Sequence, residues 1–162
     1  MADVWRGITF EAYRYIPLPG GEPFYTSEQY QCFFRAEGEL LRREGHLFVL
    51  DVLQKTVVSW LNEHWVGALL LPIGDDELQA RAARELPRTK RALVPTSCDL
   101  HTLAAYLLDV VCEELLRHRG LLVTNVRVLR AGEPEAGEAE IPPALRQQYA
   151  AEQSAALYTG AL

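Results

Sequence analysis

ITFEAYRYI, residues 8–16, alternates in character: Ile8, Phe10 and Ala12 fall on one side and Thr9, Glu11 and Tyr13 on the other, the period of a half-buried strand. QYQCFFRAEGEL, residues 29–40, is rich in aromatic residues and predicts a second strand. Between them Pro17, Pro19, Gly20, Gly21 and Pro23 punctuate residues 17–26 as a loop, so the two strands form a long antiparallel hairpin. Working outward, Arg42 to Gly45 reads as a turn and HLFVL, residues 46–50, as a short strand. Asp51 then caps a helix whose apolar face carries Leu53, Val57, Trp60, Leu61 and His64.

Gly74, Asp75 and Asp76 interrupt the chain, and residues 75–90 are polar and mixed. Ala92, Leu93 and Val94 lead to Pro95, Thr96 and Ser97, where a second helix opens. Its apolar positions from Leu100 to Leu116 follow helical spacing throughout, with His118, Arg119 and Gly120 as the stop. Residues 122–130 read as a strand, 131–138 as a Gly/Pro/Glu loop and 142–158 as a terminal helix weakly tied to the rest. Strands at both ends of the chain with helices between them predict an α+β domain: an antiparallel sheet with helices on one face. We expect one domain over residues 1–162, with its core at about 8–141.

The composition excludes several function classes. At 162 residues, 49% hydrophobic and 23% charged, the chain is ordinary for a globular domain and unlike a disordered one. A net charge of -6 supplies no field for nucleic acid or anionic lipid. The longest apolar stretch, Val66 to Leu71, ends at Pro72, far short of the ~20 residues a membrane span needs. The opening residues 1–6 lack a signal-peptide pattern. Cys32, Cys98 and Cys112 are odd in number and widely spaced, so a reduced, cytoplasmic protein is expected.

Six landmarks occur in a telling order: Phe10-Glu11-Ala12; Tyr30 to Leu40 ending in Glu37-Gly38-Glu39; Phe48-Val49-Leu50-Asp51; Leu70-Leu71-Pro72; Pro95-Thr96-Ser97; and Val126-Arg127-Val128. Together they resemble the 6-pyruvoyltetrahydropterin synthase and 6-carboxytetrahydropterin synthase superfamily, which has the tunnelling (T) fold. The resemblance implies a four-stranded antiparallel sheet with two helices on one face. It also implies homo-oligomers, trimers that close a barrel and pair into hexamers, with sites at subunit boundaries.

The same resemblance places the family's three zinc histidines on Arg14, Thr26 and Glu28. Zinc takes imidazole, thiolate or carboxylate ligands and is repelled by a cation, so a metal-free site without other cofactors is expected. The family's catalytic cysteine falls near Glu22, and Cys32 lies too far inside its strand to replace it. The Asp-His pair falls on Gly67-Ala68. Shortening the first helix by one turn would instead put the pair on Glu63 and His64, which are the remaining acid-base candidates. The pterin-anchoring pair matches Thr96 and Ser97. The anchoring glutamate matches Arg130 when counted from Val126, or Glu133 when counted back from Ala139-Glu140-Ile141; Glu133 is favoured. A carboxylate suits the guanidine-like edge of a pterin, two parallel donors meeting two acceptor oxygens.

Plainer readings stand beside these. His64 is a buried structural histidine or a base. Cys98, with His101 in the same helical turn, is a thiol of depressed pKa or a small capping-region residue. His46 and His118 are solvated turn residues. Glu135, Glu138 and Glu140 belong to an exposed acidic loop. Arg14 is an anion site or the cross-strand partner of Glu28. Three functions are open: a synthase homologue, in effect a pseudoenzyme, binding a pterin-like or purine-like molecule without the synthase reaction; an enzyme of different chemistry on a related heterocycle; and a structural or regulatory oligomer.

Overall fold

The computed structural model describes residues 4–37, 45–95, 97–116 and 120–159. Strands β1 (Val4–Pro17) and β2 (Pro23–Glu37) pair antiparallel over their whole length, from Val4 opposite Ala36 to Pro17 opposite Pro23. The expected loop of ten residues contracts to residues 18–22. There Leu18 N–H donates to Glu22 O and Gly21 N–H to Leu18 O, both at 3.0 Å. Gly20 and Gly21 have φ of 100° and 87°, a backbone that glycine adopts without steric cost. Ile16 opposite Phe24 and Tyr15 opposite Tyr25 carry the ladder to the tip, since cross-strand apolar pairs stabilise it.

The segment HLFVL is helical, not a strand. It forms the first turns of α1 (His46–His64), and Asp51 is no cap but an interior residue paired with Lys55 at 3.0 Å. The reason lies in the spacing. Val49, Leu53, Val57, Leu61 and Trp65 recur every four residues and are all at most 1% exposed, so Val49 begins the buried stripe that the following residues continue. The same step places Trp65 inside and leaves His64 exposed at the helix end, correcting its expected place on the apolar face. Lys90 Nζ closes that end, donating to Asn62 O at 3.3 Å and Glu63 O at 3.0 Å, where a cation complements the helix dipole.

Residues 75–90 also hold an element hidden by their polarity. After β3 (Leu69–Pro72) comes α2 (Asp76–Glu85), capped by Asp75 accepting from Leu78 N–H at 3.0 Å, and then β4 (Arg91–Val94). Only Leu78 and Ala82 of α2 are buried, too narrow a stripe to stand out in a ten-residue segment of which half is charged. They meet Leu69 and Leu71, with Tyr15 and Tyr25, on the sheet face opposite to α1. Helix α3 (Leu100–Tyr106) begins at an Asp99 cap rather than at residue 95, and continues as a π-helical segment, Leu107–Leu116. Strands β5 (Leu122–Arg130) and β6 (Gly137–Glu140) follow, so part of the expected acidic loop is a strand, and α4 (Pro143–Thr159) is the last described element. That helix is tied in by buried Tyr149 and by Arg146 Nε, 3.4 Å from Glu37 Oε1.

The sheet has six strands in the order β4-β3-β1-β2-β5-β6. Where four antiparallel strands were expected there are six: β1, β2, β5 and β6 pair antiparallel, and β3 and β4 extend the sheet in parallel beside β1. Even-numbered residues of the hairpin, Ile8, Phe10, Ala12, Tyr30, Cys32, Phe34 and Ala36, form the main core with α1 and α3. Trp65 links the layers, 5.9 Å from Phe10 and 5.9 Å from Tyr106 between ring centroids. Among the described residues no helix is long and apolar enough to cross a membrane.

Strand β6 is pressed against the first turn of α3. A Cβ on Gly137 would run into the Leu100 carbonyl and the His101 backbone nitrogen, neither of which can turn aside. Gly137→Ala should therefore destabilise the fold by about 2 kcal/mol or more. Gly74→Ala, which meets open space, should stay within about 0.5 kcal/mol. Urea midpoints of the two variants make the comparison, and equal midpoints would contradict this packing.

Candidate functional site

The core-facing side of the hairpin is apolar from Ile8 to Ala12 and turns polar toward its tip. Arg14 stands directly opposite Thr26, and Glu28 stands opposite Ala12 on the same face. On its other side β2 sets Tyr30 opposite Arg130, the last residue of β5. The chain then reverses through Gly132 (φ 85°), held by Ala131 N–H to Gln29 O at 2.9 Å and Glu133 N–H to Arg130 O at 3.1 Å. That turn brings the Glu133 carboxylate back over the strand end.

Three side chains converge there. Arg130 approaches Glu133 Oε1 with Nε at 2.8 Å and Nη2 at 2.7 Å, and its Nη1 donates to Tyr30 Oη at 3.4 Å. Its guanidinium carbon lies 5.6 Å from the Tyr30 ring centroid. Arg14 Nη1 reaches the same Oε1 at 3.1 Å. The two arginines differ in burial: the Arg130 side chain is 5% exposed and that of Arg14 31%. Burial opposes the Arg130 charge, but its bonds to Tyr30 and Glu133 outweigh burial and raise its pKa. Burial likewise raises Tyr30, with Arg130 working against it.

The expected sites meet different fates. Arg14 pairs with Glu133 and not with Glu28, which resolves one of the two readings of Arg14. Arg130 and Glu133, rival matches for one anchor position, are both in the site and bonded to each other. Thr26 Oγ1 makes a weak local contact to Ser27 O at 3.5 Å. Ser97 Oγ donates to Asp99 Oδ2 at 2.5 Å and lies 3.2 Å from Thr102 Oγ1, so its hydroxyl serves the cap of α3. That bond, with the Thr102 N–H, holds the Asp99 carboxyl below the usual range. Thr96 lies outside the described residues, as do His118 and the turn at 42–44. Gly67 and Ala68 lend only backbone, to Glu11 O and from Tyr13 N–H.

His64 packs tilted against Trp60, ring centroids 4.7 Å apart, with Nε2 3.9 Å from Glu63 Oε2, on the exposed end of α1. The thiol of Cys98 is not activated: burial and the Asp99 charge push it up to about 12, with Arg130 pulling the other way. Cys32 is fully buried, which raises its pKa. His101 Nδ1 accepts from Glu138 N–H at 3.3 Å, joining α3 to β6. Among the described residues no three His, Cys, Asp or Glu side chains are grouped to hold a metal. Tyr30 is the site residue that sequence reasoning missed. Its signal was faint, an aromatic at the point where the inward face becomes polar.

A cleft of about 370 Å³ beside the turn is lined by Gln29, Gln31, Tyr30, Arg130, Gly132 and Glu133 among others. A larger hollow of about 680 Å³, around Phe33, Asn125 and Arg127 on the outer sheet face, contains none of the site residues above. The burial difference between the arginines sets their roles. Glu133→Gln strands buried Arg130 without its counter-ion and should cost about 2 kcal/mol or more. Arg14→Gln removes a part-buried contact between two side chains each about a third exposed and should cost less than about 1 kcal/mol. Denaturant unfolding of both variants reads the difference, and the opposite order would reverse the assignment.

No known family pattern and no curated protein matches the chain. Solved structures do. An uncharacterized protein of Wolinella succinogenes is similar with a TM-score of 0.57 at 11% identity, covering 88% of this chain and 100% of its own. The 6-pyruvoyl tetrahydropterin synthase of Plasmodium falciparum gives 0.56 at 16% identity, covering 86% and 98%. That of Plasmodium vivax gives 0.54 at 14% identity, covering 87% and 100%. These identities carry fold and nothing finer, and on the fold they agree with the landmarks in the sequence: the chain has the fold of the 6-pyruvoyl tetrahydropterin synthases.

Proposed function

We propose that this chain is a single-domain homologue of 6-pyruvoyltetrahydropterin synthase that binds a pterin-like or purine-like heterocycle without carrying out the synthase reaction. The observation that carries the reading is the Glu133 carboxylate. It is fixed from beneath by buried Arg130 yet remains 35% exposed, as a carboxylate must be to accept two N–H bonds from a ring edge. The reactive end of the site is different. Arg14, Thr26 and Glu28 offer a cation, a hydroxyl and a single carboxylate, a set that does not fit zinc. Cys98 is not activated, and Glu63 and His64 face solvent at the end of α1.

A homo-oligomer, a trimer or hexamer that closes the sheet into a barrel, accords with two features. Strands β4 and β6 are open edges that a second copy would cover. The hairpin's outer face is polar, with Thr9, Glu11, Gln29 and Gln31 exposed, as a water-lined interior requires. Free thiols at Cys32 and Cys98 suit a reducing cytoplasm. Nucleic acid and membrane are not partners in this reading.

Two measurements test it. Elemental analysis of the dialysed protein should find no stoichiometric zinc; zinc retained at the hairpin would show that the placement of Arg14, Thr26 and Glu28 on the ligand positions is wrong. Pterin or guanine should raise the melting temperature of the wild type, and Glu133→Gln should weaken that shift far more than Glu135→Gln. Equal losses from the two would make residues 133–135 a solvated acidic turn, and the heterocycle reading would be given up.

A further inference from the structure

The unit formed by β3, α2 and β4 lies beyond the four antiparallel strands that the sequence predicts, and its last stretch is strongly basic. Residues 81–91 hold Arg81, Arg84, Arg88, Lys90 and Arg91 against one carboxylate, Glu85, in a chain of net charge -6. Arg81 is taken by Glu85 at 2.6 Å, and Lys90 by the carbonyls that end α1. Arg84, Arg88 and Arg91 are exposed. Among the described residues no carboxylate lies within ion-pair reach of Arg88 or Arg91.

These cations stand at the start of an open edge. Leu69 N–H donates to Lys90 O at 2.7 Å and Ile73 N–H to Val94 O at 2.9 Å, so residues 90 and 94 turn their backbone toward β3. By alternation Arg91 and Leu93 point their N–H and C=O outward, where the sheet ends. Their side chains share one face: Arg91 is exposed, Leu93 is 45% exposed, and Ile73 just past β3 is 50% exposed. A strand added here must bring carboxylates. Another copy of β4 would set a second Arg88 and Arg91 against the first, which like charge disfavours. Asp75, Asp76 and Glu77 follow Ile73 at the far end of β4, so charge also decides which end of the added strand is acidic. A barrel closed by the antiparallel strands leaves this edge free, because β3 pairs with β1 only at Tyr13 and Arg14 and no strand lies on that side of β1 from Val4 to Phe10.

We propose that β4 takes up an extended acidic segment of another protein as a further strand, with a carboxylate beside Arg91 and an apolar residue two positions away beside Leu93. The backbone of Arg91 and Leu93 supplies the hydrogen bonds, and the alternation of their side chains supplies the selectivity. Arg88 and Arg84 extend the attraction past the start of the strand. This interaction is independent of the heterocycle site.

The test uses two fluorescein-labelled peptides, Thr-Glu-Thr-Glu-Thr-Val-Thr and the same peptide with lysine for glutamate, titrated with the full chain and read by anisotropy. The acidic peptide should bind at least about tenfold more tightly than the lysine one, and added salt should narrow the gap. Arg88→Glu with Arg91→Glu should reverse the preference. Leu93→Pro separates strand addition from plain charge attraction: the N–H it removes faces outward, so the β3 ladder and every cation stay while the edge is blocked. It should abolish binding of the acidic peptide with little change in the urea midpoint. Equal binding of the two peptides, binding of neither, or acidic binding that survives in Leu93→Pro overturns the proposal. So does a single-stranded oligonucleotide that binds the wild type and Leu93→Pro alike and displaces the acidic peptide, which would make the patch a phosphate site. A fall in oligomer size in Leu93→Pro, read by sedimentation, would give the edge to a second copy and equally overturn it.

Discussion

Everything near the site depends on the register of β2. This strand is paired on both sides, with Phe10 opposite Tyr30 on one and Arg130 opposite Tyr30 on the other. Because side chains alternate with a period of two, a slip of β2 by one residue would turn its buried set outward and part Tyr30 from Phe10 and Arg130. The register is over-determined: Ile8, Phe10, Ala12, Cys32, Phe34 and Val128 all leave water on the same face. The aromatic contact of Phe10 on Tyr30, with ring centroids 5.1 Å apart, fixes the last apolar layer before the polar tip.

At the polar tip two arginines of different burial share one carboxylate, Arg130 from the end of β5 and Arg14 from β1. The buried charge of Arg130 is tolerable because Glu133 and Tyr30 satisfy it together; a buried arginine with no such partners would cost several kcal/mol, on the order of the fold's whole margin.

The helices are placed by narrow stripes of contact. Helix α1 owes its position to a four-residue step from Val49 to Trp65, and α2 to only Leu78 and Ala82 against the outer face. The contact of β6 with α3 is closer still, since Gly137 lies where any side chain would meet the Leu100 carbonyl. These contacts place Ser97 and Cys98 at the start of α3 near Arg130, whose charge is felt at the Cys98 thiol.

The hairpin, the helix from Leu100 and the strand from Leu122 were legible in the sequence because each carries a strong periodic pattern over many residues. The six ordered landmarks likewise pointed to the fold. HLFVL was not legible, since its four consecutive apolar residues have no period of their own and only the buried face of α1 settles them as helix. Nor was α2, whose two buried residues vanish among its charges. At the site, residue identity and spacing were enough to bring Arg14, Arg130 and Glu133 under consideration. They could not show that Arg130 and Glu133 act together, or that Arg14 reaches Glu133 rather than Glu28. Those pairings join residues up to 119 positions apart, and what decides them is the three-strand register together with the turn at Gly132, neither of which exists until the sheet has formed.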